Sequence, residues 1–168
     1  MTLQIKRRGR PSKASIAERD KLVPKVKRAD TEVLADLRDR FEMLGKLTQG
    51  TMKANIRSMV VTGAPGVGKT YTVTNILENT LNAKYETVAG ALSAVELYKL
   101  GYRNRKAGSV IVLDDADSIF TDEDALNILK ALCDSSPVRR VSWLKDSATL
   151  RQDDTPQSYE FQGSCIFI

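Results

Sequence analysis

The sequence contains no histidine, and only two of its 168 residues are cysteines. The absence of histidine excludes an imidazole general base and any metal site built on histidine ligands. Cys133 and Cys165 lie far apart in apolar stretches, and their spacing matches no metal-binding pattern. We therefore expect both cysteines to be reduced residues of the core.

Long hydrophobic runs are absent too. No stretch approaches the roughly 18 consecutive apolar residues that a membrane-spanning helix needs. The basic amino terminus lacks the apolar segment of a secretory signal. We therefore expect no membrane partner and a cytoplasmic location. The hydrophobic content of 42% is ordinary for a globular protein, and 168 residues are enough for one domain with its own core.

The positive charge is concentrated at the amino terminus. The chain carries a net charge of +5, and residues 1–29 hold ten lysines and arginines against Glu18 and Asp20. This composition predicts a basic flexible arm with an anionic partner, followed by a folded core over residues 30–168.

Four residues of the arm resemble the core of the AT-hook, a small motif that binds the minor groove of DNA. They are Arg8, Gly9, Arg10 and Pro11. Arginines in a narrow A·T-rich groove meet a strong negative potential, and glycine lets the backbone approach the groove floor. The alternative is a solvated basic tail that contacts DNA phosphates without sequence preference. Both interpretations predict DNA as a partner of the arm.

A glycine-rich stretch fits the phosphate-binding pattern G-x-x-x-x-G-K-[ST]. It consists of Gly63, Ala64, Pro65, Gly66, Val67, Gly68, Lys69 and Thr70. Met59 to Thr62 before it are predicted to form a short buried strand. Apolar residues with helical spacing follow it, namely Val73, Ile76, Leu77 and Leu81. The order of strand, loop and helix favours a nucleotide-binding loop over a glycine-rich turn without a ligand.

The residue types of the loop suit a nucleoside triphosphate with Mg²⁺. Glycines can wrap backbone N–H groups around a polyphosphate and adopt the positive φ angles that this requires. Lys69 is expected to neutralise the β- and γ-phosphates, and the Thr70 hydroxyl to bind Mg²⁺. Tyr71 completes the predicted ATP-binding set. The helix that begins here adds the positive end of its dipole.

A second motif is the apolar run from Val110 to Leu113, which ends in Asp114 and Asp115. A continuous apolar run is typical of a parallel strand buried on both faces. Asp114 is predicted to hold Mg²⁺, and Asp115 to orient the attacking water. Alternatively, the two acids are helix caps or solvated charges at the end of a strand.

Together the two motifs resemble the AAA+ ATPase family, and in particular its short phage-encoded members. Pro65 in the loop and the Asp114-Asp115 pair carry the likeness. The resemblance implies an α/β fold, a three-layer α/β/α P-loop core with a parallel sheet. It also implies Mg²⁺-dependent ATP hydrolysis, with Lys69 and Asp115 as catalytic residues. A full-length protein of this family is expected to form a homo-oligomeric ring, in the host cytoplasm if the protein is viral.

The sequence departs from the family pattern in two ways. Asp115 replaces the usual glutamate, whose side chain is one methylene longer, so its carboxylate is expected to stand farther from the attacking water and hydrolysis to be slow. The alternative function is a non-hydrolysing ATP-binding switch or assembly protein tethered to DNA. Ser164 to Ile168 resemble the strand that precedes the family's sensor 1 residue. The sensor, the arginine finger and the helical lid are not seen, so we expect a partial, truncated core.

Three further predictions concern the rest of the chain. A helix is expected to begin at Asp30 or Thr31 and to end at Gly45, and another to run from a capping box at Ser93 to Gly101. A hairpin is expected to pair residues 138–144 with residues 159–161. Its contact residues for nucleic acid would be Arg139, Arg140 and Trp143. The alternative is that Trp143 simply covers the sheet.

Overall fold

The computed structural model describes residues 29–168. The AT-hook-like residues Arg8 to Pro11 therefore lie outside the described residues. Residues Arg38–Ile168 form a compact unit of their own. The description below concerns this unit, apart from the start of the first helix.

Helices and strands alternate along most of the described chain. In chain order they are α1 (Asp30–Met52), β1 (Ser58–Val60), α2 (Lys69–Glu78), β2 (Lys84–Ala89), α3 (Ala94–Arg103), β3 (Ser109–Asp114), a 3₁₀ turn (Asp117–Phe120), α4 (Glu123–Leu132), β4 (Arg140–Ser142), α5 (Ala148–Gln152), β5 (Ser158–Glu160) and β6 (Ser164–Phe167). Within residues 29–168, no helix is both long and apolar enough to cross a membrane.

Four strands form a parallel sheet in the order β1-β6-β3-β2. The four apolar residues of β3, Val110 to Leu113, are buried, as the apolar run predicts. Alternate residues of β3 enter two separate core clusters. Ile111 and Leu113 pack with residues of α3 and α4, whereas Val110 and Val112 pack with Val73 and other residues of α2. Because helices cover both faces of the sheet, the predicted three-layer α/β/α core is confirmed.

The predicted end of the first helix at Gly45 is wrong, because α1 continues to Met52. A Cβ atom on Gly45 would lie 3.4 Å from Ile76 Cδ1 of α2, which is ordinary contact distance. Farther along, Thr48 and Thr51 are buried, and each hydroxyl donates to a carbonyl of its own helix. Tertiary packing of residues 44–52 therefore outweighs the weak helix propensity of glycine at this position.

Two other expectations about local structure need correction. The strand before the glycine-rich loop is Ser58–Val60 rather than 59–62, and Val60 is 71% exposed instead of buried. This strand lies at the edge of the described sheet, with β6 on one side only. Leu81 does not share the buried face of α2, because the helix ends at Glu78 and Leu81 is 89% exposed.

The predicted hairpin is present as β4 and β5, an antiparallel pair in which Val141 faces Tyr159. The short helix α5 lies in its connection and was not predicted. Arg139 and Trp143 are buried, so they are not exposed contact residues for nucleic acid. The alternative interpretation of Trp143 as a covering residue is the correct one. Arg140 is exposed and pairs with Glu160 across the hairpin.

Candidate nucleotide-binding site

The glycine-rich loop joins β1 to α2, and most of its residues are exposed. Gly66 and Gly68 have φ angles of 75° and 93°. A Cβ atom at either position would meet no other atom within 4 Å. Glycine is therefore required here by backbone conformation rather than by lack of space, since other residues rarely adopt such angles.

The amino terminus of α2 faces this loop. Gly68 is the N-cap residue, and no side chain caps the helix. The first helical bond runs from Thr72 N to Gly68 O at 3.0 Å. The backbone N–H groups before Thr72 have no acceptor within the helix, and the dipole places partial positive charge there. This end of α2 is therefore suited to a phosphate group.

The Lys69 side chain folds back over the loop. Its Nζ donates to the carbonyl oxygens of Gly63 and Ala64, each at 3.1 Å. The aliphatic stem passes close to Gly63, where a Cβ atom would lie 3.6 Å from Lys69 Cδ. The ammonium is thus held beside the loop, within reach of an anion that the loop would bind.

The fold brings Thr70 and Asp114 together from distant parts of the sequence. Thr70 Oγ1 lies 3.4 Å from Asp114 Oδ1. Thr70 is in the first turn of α2, and Asp114 is the last residue of β3. A hydroxyl and a carboxylate are oxygen ligands of the kind that Mg²⁺ prefers. Residues 29–168 contain no group of three or more histidine, cysteine, aspartate or glutamate side chains placed to hold a metal ion.

Asp115 leaves the sheet with a left-handed backbone, at a φ angle of 49°. Aspartate tolerates this conformation better than most residues. Its N–H donates to Ile168 O at 3.4 Å, and Ile168 N donates back to Leu113 O at 3.0 Å. The exposed side chain of Asp115 therefore lies at the carboxyl end of β3, next to Asp114.

Sequence analysis missed two backbone groups that hold this edge. Gly90 N donates to Asp114 O at 3.3 Å, and Ile168 makes the bonds described for Asp115. Gly90 has a φ angle of 89°, which lets the chain turn away from β2 directly beside the acid. The strand break at Gly90 is visible in the sequence, but its proximity to Asp114 depends on the pairing of β2 with β3.

A known protein family matches the part of the chain that carries this site. The model of the AAA family, ATPase family associated with various cellular activities, matches residues 59–143. This range is half of the chain and contains the glycine-rich loop, Asp114 and Asp115. The chain belongs to the AAA ATPase family. Membership in the AAA family supports ATP binding and hydrolysis as the general activity of the domain, and it confirms the resemblance seen in the sequence.

A phage protein is similar to most of this AAA chain. The two are 34% identical over 149 residues, and the relative is an uncharacterized 36.7 kDa protein in the nrdC-mobD intergenic region of Enterobacteria phage T4. The match covers 87% of this chain and 46% of the phage protein, so the chain spans about half the length of that relative. No solved structure matches the chain.

Proposed function

We propose that the chain binds ATP with Mg²⁺ over the glycine-rich loop and hydrolyses it. The observation that carries the proposal is the approach of Thr70 Oγ1 to Asp114 Oδ1, 3.4 Å apart beside the uncapped amino terminus of α2. Family membership supports nucleotide use in general. The residues from Gly63 to Tyr71 would bind ATP, and Thr70 and Asp114 would hold the metal.

Each residue has a distinct role in the proposed reaction. Bound Mg²⁺ would neutralise charge on the phosphate oxygens. Lys69 would release the carbonyls of Gly63 and Ala64 and donate to the β- and γ-phosphates. Asp115 would orient the water for in-line attack, from the strand edge that also carries Asp114. Tyr71 is 72% exposed on the first turn of α2, where it is accessible to the nucleotide.

A second candidate is an ATP-binding switch that does not turn over. The presence of Asp115 at the position of the usual glutamate favours it, because the carboxylate reaches about one methylene less far toward the water. The two candidates share the binding site and differ only in hydrolysis.

The test is ATP binding and steady-state hydrolysis measured on the same preparations. We expect Lys69→Ala to weaken ATP binding on the order of 10- to 100-fold, because it removes charged hydrogen bonds. Lys53→Ala is the matched control and should leave ATP binding unchanged. Lys53 is an exposed lysine near the amino ends of β2 and β3, whereas the glycine-rich loop follows the carboxyl end of β1. Saturable ATP binding that Lys69→Ala leaves unchanged would contradict the proposed binding site.

Hydrolysis separates the enzyme from the switch. If the chain is an ATPase, the unaltered chain should hydrolyse ATP, and Asp115→Ala should abolish hydrolysis while ATP binding persists. Binding without turnover in the unaltered chain would support the switch, and restoration of turnover by Asp115→Glu would attribute the loss to the short side chain.

We further propose that the protein acts on DNA through the basic arm. The ten basic residues of residues 1–29 and the AT-hook-like segment support this proposal. A ring of several copies is the assembly in which we expect an AAA protein of full length to work.

A further inference from the structure

The two cysteines, far apart in sequence, are neighbours in the fold. Both are free thiols, Cys133 packs against the core cluster that contains Cys165, and each thiol is the largest influence on the pKa of the other. Cys165 lies in β6 and is fully buried, whereas Cys133 is half-buried at the end of α4. The pair therefore combines a thiol that solvent can reach with one that it cannot.

Arg139 donates hydrogen bonds to both backbone segments that contain the cysteines. Its Nη1 donates to Leu132 O and its Nη2 to Gly163 O, each at 2.8 Å. Leu132 directly precedes Cys133, and Gly163 lies two residues before Cys165. One buried guanidinium thus fixes the backbone on both sides of the thiol pair.

Arg57 makes a second connection between the same segments. Its Nη1 donates to Asp134 O at 3.2 Å and to Ser136 O at 2.7 Å, in the turn that follows Cys133. Its own carbonyl accepts from Cys165 N at 2.9 Å. The two thiols are therefore held in place by hydrogen bonds from independent groups, without a covalent link.

The surroundings shift the pKa values of the two thiols in opposite directions. The pKa of Cys133 is lowered by the hydrogen bond with Cys165, with further contributions from Ser58 and from the Arg139 charge, against the effect of burial. The pKa of Cys165 is raised by the hydrogen bond with Cys133 and by complete burial. Arg57 and Asp134 are the other charged groups near Arg139. Cys133 is thus the better nucleophile, since the thiolate is the reactive form.

We propose that Cys133 and Cys165 form a redox-modification site, in which a peroxide oxidises Cys133 and Cys165 then closes an intramolecular disulfide. An accessible reactive thiol beside a resolving cysteine is the arrangement found in thiol redox sensors. The site lies apart from the residues proposed to bind ATP and does not depend on the proposed function.

The chemistry balances with hydrogen peroxide as the oxidant. The Cys133 thiolate attacks one peroxide oxygen, the O–O bond breaks, and the departing hydroxide takes a proton to become water. Cys133 is then a sulfenic acid. The Cys165 sulfur attacks Cys133 Sγ, the S–O bond breaks, and the hydroxide leaves with the Cys165 proton as a second water. Two thiols are oxidised to one disulfide while one peroxide is reduced to two waters.

The experiment treats the full native chain with hydrogen peroxide and maps the products by non-reducing peptide mass spectrometry. We expect a Cys133–Cys165 crosslink within one chain, loss of both free thiols, and reversal by dithiothreitol. The Cys165→Ser chain should accumulate a dimedone-reactive sulfenic acid at Cys133. The Cys133→Ser chain should leave the buried Cys165 unmodified.

Three results would overturn the proposal. These are oxidation of Cys133 to a sulfinic acid while Cys165 stays free, a crosslink only between chains, and a peroxide reaction no faster than that of free cysteine. Circular dichroism checks that the serine variants fold. If either fails to fold, the corresponding alanine variant replaces it, and the crosslink in the unaltered chain decides the question by itself.

Discussion

At the scale of single residues, two glycines inside helices show how packing changes the meaning of one residue type. Gly101 lies in α3, where a Cβ atom would be 2.2 Å from Tyr159 Oη and 2.9 Å from Leu132 Cδ2. The Tyr159 hydroxyl donates to Tyr98 O at 2.9 Å, so it is not free to move away. The prediction that α3 ends at Gly101 was wrong for this reason. The helix continues to Arg103, and glycine is present because the tyrosine needs its space.

We expect Gly101→Ala to destabilise the protein by about 2–4 kcal/mol, because it displaces a buried tyrosine and its hydrogen bond. The intrinsic helix preference for alanine, about 1 kcal/mol, works in the opposite direction and is smaller. Gly45→Ala is the matched control in α1, and it should stabilise the protein by about 0.5–1 kcal/mol. Urea unfolding measures both. Equal effects of the two substitutions would contradict the packing argument.

At the scale of secondary-structure elements, polar side chains decide where two helices begin. Ser93 accepts a hydrogen bond from Glu96 N at 3.3 Å, as the capping box predicted. Asp122 accepts from Ala125 N at 2.9 Å at the start of α4. In contrast, α2 begins at Gly68 without a side-chain cap. The side-chain caps of α3 and α4 each satisfy one N–H of the first turn, whereas the uncapped start of α2 leaves its first N–H groups available, as the proposed phosphate site requires.

Substitution of Asp122 tests how much its side-chain cap contributes to the stability of α4. We expect Asp122→Ala to cost about 1 kcal/mol in unfolding free energy, because an N–H of the first turn loses its acceptor. Asp122→Asn keeps an acceptor oxygen and should cost much less. The midpoint of thermal unfolding measures the two variants side by side. An asparagine variant as unstable as the alanine variant would indicate that charge, and not the cap, stabilises the helix.

At the scale of the whole molecule, charge separates the arm from the body. Residues 1–29 hold ten lysines and arginines against two acidic residues, whereas acidic residues slightly outnumber basic ones in the sequence beyond them. In the body, several basic side chains are already paired with protein groups. Arg103 bonds to Glu86, and Arg105 stacks on the Tyr102 ring at 4.0 Å. The stretch from Tyr102 to Lys106 is therefore less available to nucleic acid than its composition suggests.

We expect deletion of residues 1–29 to reduce duplex DNA binding sharply at low salt, because phosphate neutralisation by basic side chains dominates such affinity. Binding measured by fluorescence anisotropy at several salt concentrations checks this. Unchanged binding would remove the arm from the proposed function. ATP binding by the shortened chain is the control that its core still folds.

Two double variants of the full chain then separate a minor-groove motif from a basic tail. Arg8→Ala with Arg10→Ala and Lys25→Ala with Lys27→Ala remove the same charge. The motif predicts that only the arginine pair loses preference for A·T-rich duplex. Equal losses on every duplex would favour the basic tail.

The sequence alone was sufficient for the features that depend on local patterns. The pattern from Gly63 to Thr70 was recognisable because its glycines, lysine and hydroxyl stand at fixed spacing, and it correctly predicted a loop between a strand and a helix. The apolar run before Asp114 predicted a buried parallel strand, and the α/β order followed from the alternation of strand and helix patterns. These features are short-range, so the residues that determine them are also close together in sequence.

Tertiary structure decided the features that depend on neighbours from elsewhere in the chain. The continuation of α1 through Gly45, the burial of Arg139 and Trp143, and the meeting of Thr70 with Asp114 all depend on packing between elements that are distant in sequence. The contact between Cys133 and Cys165 arises in the same way. Whether a glycine ends a helix or an arginine faces solvent is decided by the volume and hydrogen bonds of such neighbours, which local sequence does not contain.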